Sequence, residues 1–187
     1  QSPKLKLRLF TCCFIAIVCL LAAFPPTSAA GNEAEVIYVD QNASGGEDGK
    51  SWVDAFKDLQ KALTEAGNYI SVKKVEIWVA KGTYKPTDDN DRAKSFVLSN
   101  SIALYGGFSG TETAREQRKP AENHTILSGA IDGGQKSYHV VYADGVNETS
   151  VLDGFTITGG NANDDDTNKD GGGMYINNKC TPTLEDC

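Results

Sequence analysis

The chain has 187 residues and is acidic, with 25 Asp and Glu against 18 Lys and Arg and a formal net charge of −7 at pH 7. Such a surface repels nucleic acid and anionic membranes, so charge excludes both as partners of the bulk of the chain. The length suits one domain. Because the chain begins with Gln1 and ends at Cys187 within a repeated pattern, we expect a fragment that is truncated at its C-terminal end.

The first 30 residues are typical of a secretory signal peptide. Lys4, Lys6 and Arg8 form a basic head, an apolar run of 16 residues follows at 9–24, and small residues at 27–30 suit a cleavage site. An uncleaved membrane anchor is the alternative, but a spanning helix needs about 20 apolar residues. We therefore predict export, which leaves a mature chain with 15 Lys and Arg against 25 Asp and Glu.

One helix and several strands are predicted next. A β-rich run at 35–40 predicts the first strand. Apolar residues spaced by three and four predict an amphipathic helix over 52–66, with Ser51 and Asp54 as a capping box and Gly67 at its end. We expect this helix to cover the end of the fold. Further strands are predicted at 75–80, 96–98 and 102–105, and others begin at 126–127, 140–141 and 151–152.

The segment 151–187 shows two spacing patterns. Phe155 and Ile157 are each followed 19 residues later by another apolar strand residue, Met174 and Ile176. Leu-x-Gly recurs at 104–106, 127–129 and 152–154, in steps of 23 and 25 residues, with a degenerate copy at 184–187. Fixed steps between short strands are typical of stacked coils. The sequence therefore predicts a mainly β fold, a parallel β-helix (solenoid) with an N-terminal capping helix, over residues 31–187.

The same residues resemble a known family. They are similar to the N-terminal part of bacterial secreted proteins with right-handed parallel β-helix repeats, which have the pectin-lyase-like fold. They also resemble the repeats of polymorphic outer membrane proteins, although the Phe-x-x-Asn motif of that group does not occur. The matching stretches are 37–40, 49–52, 58–63, 77–86, 104–113, 126–129, 152–162 and 171–175.

The resemblance implies a function outside the cell. It implies a secreted, outer-membrane or cell-surface location and an adhesin-like, binding or structural role without catalysis in this fragment. The expected partners are a surface polysaccharide or a ligand on a host or neighbouring cell, with membrane contact only through a region outside the fragment. The alternative is a polysaccharide lyase or glycoside hydrolase whose catalytic residues lie beyond Cys187.

Catalysis within the fragment would need carboxylates and a base on one strand face. The available residues are Asp132, Asp153, His139, Lys136 and Arg115. An exposed carboxylate at a strand edge is the ordinary interpretation of Asp153. Fold alone does not establish an enzyme, so the sequence favours a non-catalytic chain.

A calcium site is the sharpest metal hypothesis. Asp166, Asn168 and Asp170 fit the opening D-x-N-x-D-G of a calcium loop, with Gly171 at the turn. The twelfth position is Asn177 instead of a bidentate Glu, so binding would be at most of millimolar affinity, and a solvated acidic loop is the alternative. No other cofactor is predicted.

Cysteines and aromatic residues complete the candidates. Only Cys180 and Cys187 follow the signal peptide, which excludes a disulfide scaffold. A bridge between them remains open, and we favour Cys187 as an inward core residue and Cys180 as a turn residue. Four aromatic residues could stack on sugar rings, although packing within the fold is the common alternative. These residues are Trp78, Tyr84, Tyr105 and Tyr175.

Overall fold

The computed structural model describes residues 33–164 and 169–187, which belong to one unit, Asn32–Cys187. In these residues eleven short strands accompany one α-helix, α1 (Leu59–Gly67). The strands are β1 (Glu35–Val39), β2 (Val75–Ala80), β3 (Gly82–Tyr84), β4 (Phe96–Val97), β5 (Ile102–Phe108), β6 (Thr125–Ser128), β7 (Val141–Asp144), β8 (Val151–Asp153), β9 (Phe155–Thr158), β10 (Met174–Asn177) and β11 (Thr183–Glu185).

The strands form three small parallel sheets. The first sheet has five strands in the order β1-β2-β5-β8-β11, the second has the order β10-β7-β4, and the third has the order β3-β6-β9. The chain therefore passes from one sheet to another before it returns to pair with an earlier strand. Every neighbouring pair in these sheets is parallel.

The alternation of side chains along each strand creates the core. In the first sheet five inward residues lie in register, Ile37, Ile77, Leu104, Leu152 and Leu184. The first four are almost fully buried, whereas Leu184, on the outermost strand, is 45% exposed. Successive residues of a strand point to opposite faces. The strand residues next to these five therefore point away from the core and form an outer face.

The helix is shorter than its sequence pattern predicts. The predicted start at Trp52 is wrong, because α1 begins at Leu59 and its N-cap is Asp58, whose carboxylate accepts from the Gln60 N–H at 2.8 Å. Ser51 and Asp54 do form hydrogen bonds with each other, but no helix begins directly after Ser51. The helix ends at Gly67, the residue that was predicted as its C-terminal cap, and the observed cap is Asn68.

Tertiary packing of Trp52 explains the late start. Its indole packs edge-on against Tyr38, with ring centroids 4.8 Å apart, and lies 5.5 Å from Phe108. Its indole N–H donates to the carbonyl of Glu112 at 2.8 Å. The Glu112 carboxylate in turn accepts from the N–H groups of Ser109, Gly110 and Thr111. These contacts hold residue 52 at the outer face of the first sheet instead of on a helix.

Helix α1 packs against the strands. Leu59, Ala62 and Ala66 belong to the main apolar core, together with residues of β1 and β2. The Gln60 amide donates to the carbonyls of Pro86 at 2.8 Å and Ser95 at 2.9 Å. It thereby pairs polar backbone groups that would otherwise lack a strand partner.

The prediction of a mainly β, right-handed parallel β-helix over residues 31–187 is wrong for this structure. The described residues form a mixed arrangement, in which one α-helix accompanies short parallel strands in three small sheets. The individual strands were predicted better than their assembly. The strand at 75–80 is confirmed as β2, and those at 35–40, 96–98 and 102–105 correspond to β1, β4 and β5 with shifted ends.

The degenerate copy at 184–187 was matched correctly, because Leu184 pairs with Leu152, but the other repeat steps linked residues of strands that do not pair. The 19-residue step joined Phe155 to Met174, but β9 pairs with β6 and β10 pairs with β7. Within the Leu-x-Gly series, Leu104 and Leu152 do pair in the first sheet, whereas Leu127 lies in the third sheet. Loops of unequal length separate the strands, so equal spacing in sequence does not identify strand partners.

The row of inward residues gives a matched test of the core. Leu104→Ala should lower the free energy of unfolding by about 2–5 kcal/mol, because it leaves a cavity between two paired strands. Leu184→Ala, the same change in the same row, should cost only about 1 kcal/mol or less, because that side chain is already half exposed. Urea unfolding of the full chain measures both values. Equal losses would contradict the register.

Candidate binding face

The second sheet presents a partly exposed aromatic surface. Val97 of β4, Tyr142 of β7 and Tyr175 of β10 are in register and point outward, and His139 lies beside them. We call these four residues the tyrosine face. The tyrosine rings are stacked, with centroids 5.6 Å apart and an angle of 16° between their planes. His139 lies 4.8 Å from the Tyr175 ring.

Strand alternation forces these side chains outward. Phe96 and Val141, next to Val97 and Tyr142, are completely buried, so their neighbours must point away from the core. Val97 is consequently 50% exposed, and both tyrosines are half-buried. Stacked pairs across neighbouring strands also stabilise the sheet on which they lie.

His139 is held in place by the backbone around it. Its carbonyl accepts from the Ser95 hydroxyl at 2.7 Å, and its Nδ1 lies 3.2 Å from the carbonyl oxygen of Gly171. The imidazole is nearly buried, in contact with both tyrosine rings. It therefore helps to hold the aromatic stack in one position.

A cleft of about 440 Å³ opens at the tyrosine face. Its walls combine aromatic rings, an aliphatic side chain and a few polar groups. The lining residues are Ala93, Lys94, Ser95, Val97, His139, Tyr142, Tyr175 and Asn177. Lys94 is charged, and none of these described lining residues carries a carboxylate. Mixed walls of this kind are typical of binding sites.

A larger cleft of about 500 Å³ lies beside α1, and Glu47, Lys57 and Lys61 of its lining already pair with one another. Glu47 lies 3.5 Å from Lys57 and 3.3 Å from Lys61 across this cleft. The Lys61 hydrogen bond is the chief cause of a lowered Glu47 pKa, so the carboxylate stays ionised. A ligand that bound these three charged groups would have to displace the internal pairs.

Asp153 is buried and pairs with Arg118. Its interpretation as an exposed strand-edge carboxylate is wrong, because its side chain is only 3% exposed. Arg118 donates two hydrogen bonds to the two carboxylate oxygens, one of them 3.0 Å long, and a third to the carbonyl of Gly106. The paired geometry satisfies a buried charge that would otherwise be costly.

Arg115 lies on the same outer face of the first sheet and is also paired. Its guanidinium donates to Glu76 at 2.8 Å and to the Tyr105 hydroxyl at 3.0 Å. The guanidinium carbons of Arg115 and Arg118 lie 4.7 and 5.3 Å from the centre of the Tyr105 ring. Burial raises the pKa of the Tyr105 hydroxyl, which keeps it protonated.

The other candidate catalytic residues lie elsewhere. Asp132 is exposed and pairs with Lys85 at 3.3 Å. Lys136 contributes its carbonyl to a hydrogen bond from Arg92, and His139 belongs to the tyrosine face. The structure therefore brings Arg115 and Asp153 to one face but does not gather all five described candidates into one group.

The proposed calcium loop lies largely outside the described residues. Asp166 and Asn168 are in the segment 165–168, and Asp170 is exposed. Among residues 33–164 and 169–187, no group of three His, Cys, Asp or Glu side chains could hold a metal ion. Calcium binding by Asp166, Asn168 and Asp170 stays a prediction.

The predicted signal peptide at 1–30 also lies outside the described residues. Within the part of the chain that the structure describes, no helix is long and apolar enough to cross a membrane. Export and a surface location therefore stay predictions.

The two described cysteines are free thiols, and their expected environments are reversed. Cys187 is exposed instead of inward, whereas Cys180 packs against the core. The Cys180 sulfur accepts from the Val146 N–H at 3.3 Å. It thus fills a place between the segments that follow β7 and β10.

Of the four aromatic residues proposed for sugar stacking, only Tyr175 lies on the tyrosine face. Trp78 and Tyr84 are buried, and Tyr105 is covered by two arginines. Tyr142, the partner of Tyr175, was not among the residues proposed from the sequence. A shared pattern could have shown it, because 141–144 and 174–177 both have tyrosine second and a polar residue fourth.

No protein-family model matches this chain, and neither a curated protein nor a solved structure matches it. The resemblance to secreted repeat proteins therefore stays a prediction from the motifs.

Variants of the buried Arg118–Asp153 pair test whether the pair has a structural role. Arg118→Ala should cost about 3–5 kcal/mol of unfolding free energy, because it leaves a buried carboxylate unpaired. The double variant Arg118→Met with Asp153→Leu should recover most of this loss, since both charges are gone. Urea unfolding provides the measurement. An Arg118→Ala chain as stable as the original would show that the pair does not stabilise the fold.

Proposed function

We propose that the chain is an exported protein of the cell surface or extracellular space and acts by binding, as an adhesin-like or structural protein. Its partner is a polysaccharide or another ligand on a neighbouring or host cell. The observation that carries the binding role is the tyrosine face. A stacked pair of half-exposed tyrosines beside a cleft offers a rigid contact area at a low entropy cost.

The electrostatics support binding over catalysis in the described residues. The two candidate catalytic groups that share a face, Arg115 and Asp153, each have an oppositely charged partner. Neither is therefore available as a free acid, base or nucleophile without breaking an ion pair. The tyrosine cleft, in contrast, has no acidic lining residue, although the chain as a whole is acidic.

The signal-peptide pattern supports export. When the full chain is expressed in a bacterium, we expect the exported product to begin at Gly31, because small residues precede that position. Mass spectrometry of the secreted or surface fraction gives this N-terminus. Ile17→Lys, which places a charge in the apolar run, should keep the chain inside the cell. A full-length exported chain with residues 1–30 attached would contradict cleavage.

The binding role is tested by adhesion. Beads that carry the chain should adhere to surfaces coated with bacterial polysaccharide, bacterial cells or epithelial cells. Tyr142→Ala with Tyr175→Ala should reduce the retained beads at least tenfold, because it removes both stacked rings. The matched control is Thr156→Ala with Thr158→Ala, two exposed outward positions on β9 of the third sheet. Equal adhesion of both double variants would contradict a role for the tyrosine face.

A further inference from the structure

The aromatic stack ends at Val97. Tyr175, Tyr142 and Val97 occupy one row on three neighbouring strands, but only the first two carry rings. Parallel strands lie about 4.8 Å apart, which is close to the spacing of stacked rings. A ring at the third position would continue the stack. Valine is much smaller and half exposed, so space remains above it.

His139 does not fill this space. Its ring lies 4.8 Å from the Tyr175 ring but 6.4 Å from the Tyr142 ring. A ring on the Val97 side of Tyr142 would be closer to Tyr142 than to Tyr175. His139 must therefore lie toward Tyr175, and it does not cover the side of Tyr142 that faces β4. We call this space the Val97 slot, bounded by Val97, Tyr142 and Lys94.

Two polar residues lie beside the apolar floor of the slot. Lys94 and Asn177 line the same cleft, whereas the Ser95 hydroxyl is buried and already donates to the carbonyl of His139. A ligand ring in the slot therefore has an aromatic surface on one side and hydrogen-bonding groups at its rim. This pattern suits a ring with one apolar face and polar substituents around its edge.

We propose that the Val97 slot binds one pyranose ring of a neutral saccharide chain. The apolar face of the sugar stacks on Tyr142 above Val97, and its hydroxyls bond to Lys94. This inference rests on the proposed binding function and deepens it by naming the ligand class. A sugar ring fits better than an aromatic side chain of a partner protein, because the latter would leave the polar rim without hydrogen bonds.

The charge of the site favours a neutral sugar. Lys94 is partly neutralised by Asp91, whose carboxylate oxygen lies 3.9 Å from the ammonium. The net charge of −7 on the chain repels polyanionic chains at longer range. Lys94 therefore acts chiefly as a hydrogen-bond donor to hydroxyl groups.

The test uses the full chain and neutral glycans. Cellohexaose, mannohexaose, chitohexaose and an array of neutral glycans serve as probes, and isothermal titration calorimetry follows any array signal. We expect at least one neutral glycan to bind. Tyr142→Ala should weaken binding at least tenfold, and Tyr142→Phe should retain it, because only the ring face is required. Thr156→Ala on β9 is the control and should leave binding unchanged.

Val97→Tyr is the decisive variant. It should complete the row of rings, fill the slot and abolish glycan binding, and the melting temperature should not fall because the position is exposed. Neutral glycans that bind Val97→Tyr as tightly as the original chain would overturn the proposal. A lack of binding by every neutral glycan would also overturn it.

The adhesion assay separates this proposal from the broader one. If no glycan binds but adhesion persists and depends on Tyr142 and Tyr175, the ligand class is wrong and the binding function stands. An aromatic side chain of a protein partner would then be the occupant. If glycans bind in the slot but the beads do not adhere, the saccharide site stands and the surface function is wrong.

Discussion

Parallel pairing of strands in register is the constraint on which the rest of the structure depends. Because side chains alternate along a strand, one register decides both which residues enter the core and which share an outer row. The same pairing that buries Leu104 against Leu152 also places Tyr105 beside Asp153. A shift by one residue would bring that carboxylate into the core and expose the leucines.

The outward-facing rows of the first and second sheets differ in what lies over them. On the first sheet, the charged segment after β5 brings Arg115 and Arg118 over the strands, where they pair with Glu76 and Asp153. That face is covered and electrostatically satisfied. On the second sheet the Val97 side chain and the stacked rings of Tyr142 and Tyr175 line a cleft. Because of this difference we propose binding at the second sheet.

Local strand patterns were largely predictable, because burial of alternate residues leaves a direct mark on the sequence. The assembly was not, since the 19-residue step from Phe155 to Met174 crosses from one sheet to another. The helix start was misplaced because the packing of Trp52 on Tyr38 overrides its helical spacing. In the candidate site, Tyr175 was named from sequence, but its partner Tyr142 was missed, because the repeat steps did not align 141–144 with 174–177.

The central claim is that Val97, Tyr142 and Tyr175 form one outward row. The most direct test is nuclear Overhauser spectroscopy on the chain with labelled tyrosine rings and valine methyl groups. The account predicts cross-peaks from the Tyr142 ring to the Tyr175 ring and to the Val97 methyl groups. Cross-peaks from the Tyr142 ring to the buried Phe96 ring, with none to Tyr175 or Val97, would show a shifted register. That result would contradict both the face and the slot.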